Sequence, residues 1–329
     1  MKSFNQYFTD RIIIFNLCKI RARLADNRNK KHLLHLLTYN NKYNYHISPT
    51  DPEVELLSKI MPPRRKWKKL NKRQRYPGSN QRINSVNYNE RSLFQTVLYF
   101  RKHNRQEPFV LELNDFIQDV IRSINDPNYT IQTPKIIPIP KDPMTRQSPV
   151  CRPISHFALK DRVILSVTNK YLTDVFDQYF YASSFAFRAG QDGKRVNHHT
   201  AVQEILDYKQ AYKGTRLWVS ECDIKKFFDS VHHTVVKKHY KKLVAQVASF
   251  DTRADNIFKK YLACYSFARN VLPYNGTNAK STAYWESHNI SNGEFGWVED
   301  DLKQLGLFKD VRKARIGIPQ GGALSGLIA

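Results

Sequence analysis

The stretch RLWVSECDIKKFFDSVHH, residues 216–233, holds the carboxylates best placed to do chemistry. Taken as a strand, its period of two puts Leu217, Val219, Glu221 and Asp223 on one face and Trp218, Ser220, Cys222 and Ile224 on the other. A carboxylate buried at a strand end without a partner is costly. A divalent cation is the natural partner, because Mg²⁺ takes hard oxygen ligands, commonly one or two carboxylates plus substrate phosphates. Asp229 stands just before SVHHTVVKKHY, a helix start, so an N-cap role is favoured there over a ligand role. Lys225 and Lys226 could neutralise phosphate, but read equally as solvated charge. A second candidate is RIGIPQGGALSGLIA at 315–329, whose Pro-Gln-Gly-Gly turn allows close backbone approach.

The elements that must position these residues are legible in part. KIIPIPK (135–141) is β-rich but carries proline, which suits an edge strand. DPMTRQSP follows as a turn and VCRPI (150–154) returns, so Lys141 and Arg152 flank one hairpin. Helical spacing runs over Ile20–Leu37, Leu93–Phe100 and Phe157–Phe180. Phe116, Ile117, Val120, Ile121 and Ile124 form an apolar stripe with Asn114 as a capping candidate and Pro127 as a stop.

The chain of 329 residues has 53 Lys and Arg against 29 Asp and Glu, a net charge of +24. Such an excess favours a polyanion, through Coulomb attraction and counterion release. IIIFNLC at 12–18 is too short to span a bilayer and lacks a cleavage signal, so nucleic acid is favoured over membrane. A dense basic run, PPRRKWKKLNKRQRYPGSN (62–80), reads as a phosphate-gripping arm: Arg64, Arg65, Lys66, Lys68 and Lys69 supply charge, and Trp67 is available to stack on a base. The alternative is a solvated linker. Cys18, Cys151, Cys222 and Cys264 are scattered, with no zinc spacing, which fits a reduced, cytoplasmic protein.

DIKKFFDSV, RIGIPQGGALSGLIA, VCRPIS followed by KDRVI, and SSFAFRAGQDG together resemble motifs of the bacterial reverse transcriptases, the group that includes group II intron, retron and phage-defence enzymes. They stand in that family's order, over about Ser85 to Ala329. The resemblance implies an α/β right-hand polymerase fold, with fingers plus an incomplete palm and a basic, mostly helical N-terminal extension. It divides the chain into the extension at 1–84, with its arm at 62–80, and interleaved fingers and partial palm at 85–329. A polar, aromatic insertion falls at about 266–311.

By the same resemblance, Asp223 is the catalytic metal-binding carboxylate and the Ile224 carbonyl a further ligand in a two-Mg²⁺ site for nucleotidyl transfer. Phe228 closes off the sugar 2′ position, which implies dNTPs and a DNA product, and the family resemblance itself implies an RNA template. Arg152 and Lys141 clamp the triphosphate, with Lys135 or Arg146 as alternatives to Lys141. Gln320 lines the nucleotide sugar beside Gly321 and Gly322. Arg188 either contacts nucleic acid or braces the palm. The family's paired-aspartate motif has no counterpart in the sequence, so the expected metal site is incomplete and the chain is expected to be a truncated, inactive part of a polymerase. The wording around GIPQGGALSG points toward the retron or defence branch. The alternatives are a group II intron maturase and a non-catalytic nucleic-acid-binding relic.

Overall fold

The computed structural model describes residues 2–26, 52–76, 83–142, 149–188, 190, 196–224, 226–297 and 314–329. It divides into two compact units, Lys2–Tyr129 and Thr130–Ala329. The first runs past residue 84, the boundary read from the sequence, and takes in two further helices.

That first unit is helical. Helix α1 (Asp10–Asp26) buries Ile13, Ile14, Leu17, Cys18, Arg21 and Ala22, a stripe recurring every four residues. The IIIFNLC run is therefore core, and no helix among the described residues is long and apolar enough to cross a membrane. The helix expected at Ile20–Leu37 is the end of α1; residues 27–37 lie outside the described residues. Helix α2 (Pro52–Ile60) buries Val54, Leu57 and Ile60. Helix α3 (Ser85–His103) packs along α1, and α4 (Pro108–Asn125) against α2.

In α4 the apolar stripe begins earlier than expected, at Phe109, with Glu107 at the N-cap and Pro108 at the first helical position. Asn114 is interior and accepts a hydrogen bond from Arg101 instead of capping. Proline lacks the N–H that a first-turn residue leaves unused, so it starts the helix cleanly. Each fully buried large apolar side chain on this stripe contributes about 1.5–3 kcal/mol.

The second unit is built on the hairpin of β1 (Lys135–Pro140) and β2 (Val150–His156), paired antiparallel with Ile139 opposite Arg152. A short β3 (Glu294–Phe295) joins the other edge of β2 in parallel, giving the order β1-β2-β3. Pro138 and Pro140 thus sit on an edge strand, where a missing N–H costs least. Ile136 and Cys151 on the inner face join Tyr265, Phe267, Val271, Trp285 and Phe295 in one core. The segment expected to be an insertion is in its described part folded onto the hairpin. Helix α9 (Ala279–Ser287) is one element of it: Tyr284 Oη donates to the Ile136 carbonyl at 2.9 Å, and Trp285 Nε1 to the Tyr274 carbonyl at 2.8 Å.

Helix α5 (Leu159–Phe176) is buried nearly all round and carries α8 (Thr252–Ala263) against it. Between them in sequence lie α6 (His198–Ala211), with no buried residue, and α7 (His233–Gln246). Tyr240 of α7 stacks on Phe258 of α8 at 3.7 Å.

Candidate nucleotide site

Two glycines shape the turn at 319–322. Gly321 adopts φ +84°, a conformation other residues rarely take, and Gly322 packs so tightly on the Tyr261 hydroxyl that no Cβ fits. The turn is held at both sides by Gln320. Its carbonyl accepts the Ser155 N–H of β2 at 2.8 Å, next to a parallel bridge between Ile154 and Gln320. Its side-chain Nε2 donates to Asp229 Oδ1 at 2.7 Å. One residue therefore ties the hairpin to the helical turn Phe227–Ser230.

Asp229 is not an N-cap. It lies inside that helical turn, 3% exposed, and faces Gln320. The cap of α7 is His232, whose Nδ1 accepts the Thr234 N–H at 3.2 Å. Burial raises the Asp229 pKa, against the lowering effects of the Gln320 hydrogen bond and of the Lys226 and Lys141 charges. Phe228, half-buried, meets Phe227 edge to face, and its carbonyl accepts the Ile318 N–H at 2.7 Å.

Lys226, which the sequence left open between neutralising phosphate and plain solvated charge, is held in a defined position. It adopts φ +58°, uncommon for a non-glycine residue. Its ammonium donates to the Gly296 carbonyl at 2.8 Å and lies 3.9 Å from Asp229 Oδ2. A methyl placed on Gly296 would meet Lys226 Nζ at 3.1 Å and Lys141 Nζ at 3.9 Å, so the two ammonium groups converge there. Nothing in the residue types announces a left-handed lysine; two adjacent lysines look like ordinary surface charge. Arg152 and Lys141 are exposed and, by strand alternation, share the outer face of the hairpin. The proposed alternative Lys135 is on the same face; Arg146 lies outside the described residues.

Asp223 is placed otherwise than expected. Residues 216–224 form no strand, and all are exposed, with Trp218 at 83%, Val219 at 93% and Ile224 at 69%. Period-two alternation yields a strand only where a neighbour completes the ladder, and none among the described residues does so. Asp223 is thus exposed rather than buried, and the Ile224 carbonyl accepts the Phe227 N–H at 3.3 Å. No cluster of three or more His, Cys, Asp or Glu suited to a metal forms among the described residues. This arrangement does not fit the two-Mg²⁺ site.

Arg188 is a brace. Its guanidinium donates to the Asp177 carboxylate at 2.8 Å and to the carbonyls of Asp177, Tyr181 and Ser184, with the side chain 4% exposed. With its donors directed inward, it offers nothing to a nucleic acid. The basic arm is likewise packed rather than free. Lys68 N–H donates to Thr96 Oγ1 and its carbonyl accepts from Ser92 Oγ, both on α3. Lys66 pairs with Glu107, and Lys68 Nζ lies over the Tyr99 ring. Trp67 is half-buried, donates Nε1 to the Pro62 carbonyl at 2.9 Å, and has the Arg21 and Arg64 guanidiniums over its ring. It is not an open stacking platform. Arg65 and Lys69 are exposed; residues 77–80 of the arm lie outside the described residues.

No protein-family model matches the chain. Over 115 residues it is 28% identical to the COX1/OXI3 intron 1 protein of Saccharomyces cerevisiae. The match covers 35% of this chain and 12% of the yeast protein, so it spans only a small part of that relative.

Proposed function

We propose that the chain is part of an RNA-directed DNA polymerase related to intron-encoded proteins, with a right-hand polymerase fold, and that Gln320, Asp229, Lys141, Arg152 and Lys226 form its nucleotide site. The carrying observation is the double attachment of Gln320, to Ser155 of the hairpin and to Asp229 of the Phe227–Ser230 turn. A residue fixed at both ends presents its amide in one orientation. Asp229 accepts from Nε2, which leaves Oε1 to accept from a sugar hydroxyl. Arg152 pairs triphosphate oxygens, and Lys141 with Lys226 neutralises the remaining charge. Phe228 excludes a ribose 2′-hydroxyl. The yeast likeness favours the intron-encoded branch over the retron and defence branches.

Isothermal titration of the whole chain with dATP tests it. Loss of one charge-assisted contact is worth about 1.5–3 kcal/mol, so R152M should weaken dATP binding about 10- to 100-fold. Q320A should weaken it less and reduce the preference for dATP over ATP. Absence of dATP binding, or R152M binding as tightly as the wild type, would refute the assignment.

A further inference from the structure

Lys226 stands at φ +58° and ψ 35°, in the left-handed region that favours glycine. Backbone outliers of this kind persist where their surroundings fix them, and they gather at sites with a task. Here both ends of the residue are fixed. Its carbonyl accepts the N–H groups of Asp229 at 2.9 Å and Ser230 at 3.0 Å, and the Ser230 Oγ at 2.8 Å, which starts the Phe227–Ser230 turn. Its ammonium reaches 70 residues along the chain to donate to the Gly296 carbonyl at 2.8 Å. A glycine would start the same turn without strain, so what the lysine adds is the ammonium. That ammonium lies 3.9 Å from Oδ2 of Asp229, the carboxylate whose Oδ1 holds Gln320 at 2.7 Å. Gly296 leaves room for it: a Cβ there would meet Lys226 Nζ at 3.1 Å and Val150 Cγ1 at 3.0 Å. The side chain of Lys226 is 21% exposed and that of Asp229 4%, so little water screens the pair.

We infer that Lys226 is a positioning residue for sugar recognition: held by Gly296, it keeps Asp229 ionised and so fixes which end of the Gln320 amide faces the sugar. This rests on the nucleotide reading above and adds to it a task apart from phosphate. An ionised Asp229 only accepts, so Gln320 must turn Nε2 toward it and Oε1 away. Burial raises the Asp229 pKa; the Gln320 bond, Lys226 and then Lys141 oppose it. The buried Tyr265 hydroxyl also feels this charge, and its pKa is raised by burial and then by Asp229. Without the Lys226 ammonium, a carboxyl 3% exposed takes up a proton more readily and becomes a donor. Oε1 of Gln320 then turns to it, Nε2 faces the sugar, and the acceptor for a sugar hydroxyl is gone. Through one carbonyl, the described part of the segment read from sequence as an insertion thereby belongs to the site. Lys226 also neutralises phosphate charge, but the triphosphate is common to dATP and ATP, so the preference between them isolates the second task.

The test is titration calorimetry of the whole chain with dATP and with ATP, for wild type, K226M, K226R, Q320A and the K226M/Q320A pair. K226M should lower the dATP-to-ATP affinity ratio about 3- to 10-fold, the range for one hydrogen bond misdirected. K226R, which keeps a cation, should restore most of it. In the Q320A background K226M should move the ratio no further, because its effect passes through Gln320. Equal weakening of both nucleotides by K226M, with the ratio unchanged, would make Lys226 a phosphate contact alone and overturn the inference. So would a ratio that falls additively in the double variant. K226G relieves the left-handed backbone and should melt no lower than K226M, so it carries the same comparison if K226M does not fold. Urea unfolding without nucleotide gives a second cycle, in which K226M and Q320A together should cost less than their separate losses added. Additive losses there would also overturn the inference. Coupled losses in a chain that binds neither dATP nor ATP would refute the nucleotide site while upholding the linkage of Lys226, Asp229 and Gln320.

Discussion

Acid should loosen the chain through one histidine. His233, 3% exposed at the start of α7, donates from Nε2 to the Gly317 carbonyl at 2.7 Å, and its own N–H donates to the Arg315 carbonyl at 2.9 Å. Burial lowers its pKa from 6.5 to about 4; the Gly317 bond opposes this, and Arg315, Lys237 and His232 add to it. Between those two values the unfolded chain takes up a proton that the folded chain refuses. Stability from this group is therefore full above pH 6.5, falls as pH drops toward about 4, and changes no further below. At about 1.4 kcal/mol per pH unit the whole window is worth about 3 kcal/mol. The assay is urea unfolding followed by tryptophan fluorescence at pH 8 and pH 4.5, with H233Q for comparison. Glutamine can donate to Gly317 but does not titrate, so H233Q should lose about 2–3 kcal/mol less than the wild type between the two pH values. Asp229, whose pKa is raised by burial, and Asp251, whose pKa is lowered chiefly by its Arg253 hydrogen bond, are present in both proteins and cancel. Parallel loss in the two proteins would refute the reasoning, because His233 would then protonate in the folded chain without penalty.

Two further outcomes follow from packing. R188M removes the charge-assisted bonds from Arg188 to the buried Asp177 carboxylate and should cost about 1.5–3 kcal/mol in chemical denaturation; a loss under about 1 kcal/mol would remove Arg188 as a brace. G322A pushes a methyl into the Tyr261 hydroxyl and should cost about 1–3 kcal/mol. Adding Y261F should return much of that, since Ser325 keeps the Pro319 carbonyl at 2.5 Å; equal cost in both backgrounds would place the strain elsewhere.

The hairpin was legible from KIIPIPK and VCRPI because two β-rich runs around a turn can pair with each other, and local information suffices. Helices α3, α4 and α5 were legible for a similar reason: an apolar stripe at helical spacing needs only something to cover it. The same reasoning misread 216–224, because a strand is specified by its neighbour and the alternation of Leu217 to Asp223 does not supply one. Asp229 was misread for a subtler reason. An Asp before a helix looks like a cap, and its bond to Gln320, 91 residues away, leaves no local trace. Trp67 amid basic residues looked open to a base, yet a guanidinium from α1 reaches it across the fold of the first unit. The turn at 319–322 was legible from its Pro-Gln-Gly-Gly run, although the contact that orients Gln320 was not foreseen.

The pairing of β2 with β3 has a consequence in time. Ile136 and Tyr284, joined by a hydrogen bond, are 148 residues apart, and at roughly 5–20 residues per second a ribosome needs on the order of 7–30 s to make the second after the first. Throughout that interval β2 shows an open edge and the inner face of the hairpin lacks Phe295 and Trp285. Folding of this unit must therefore wait on its last third, and a nascent chain stalled before residue 294 would present to chaperones a hairpin ready to pair with the wrong strand.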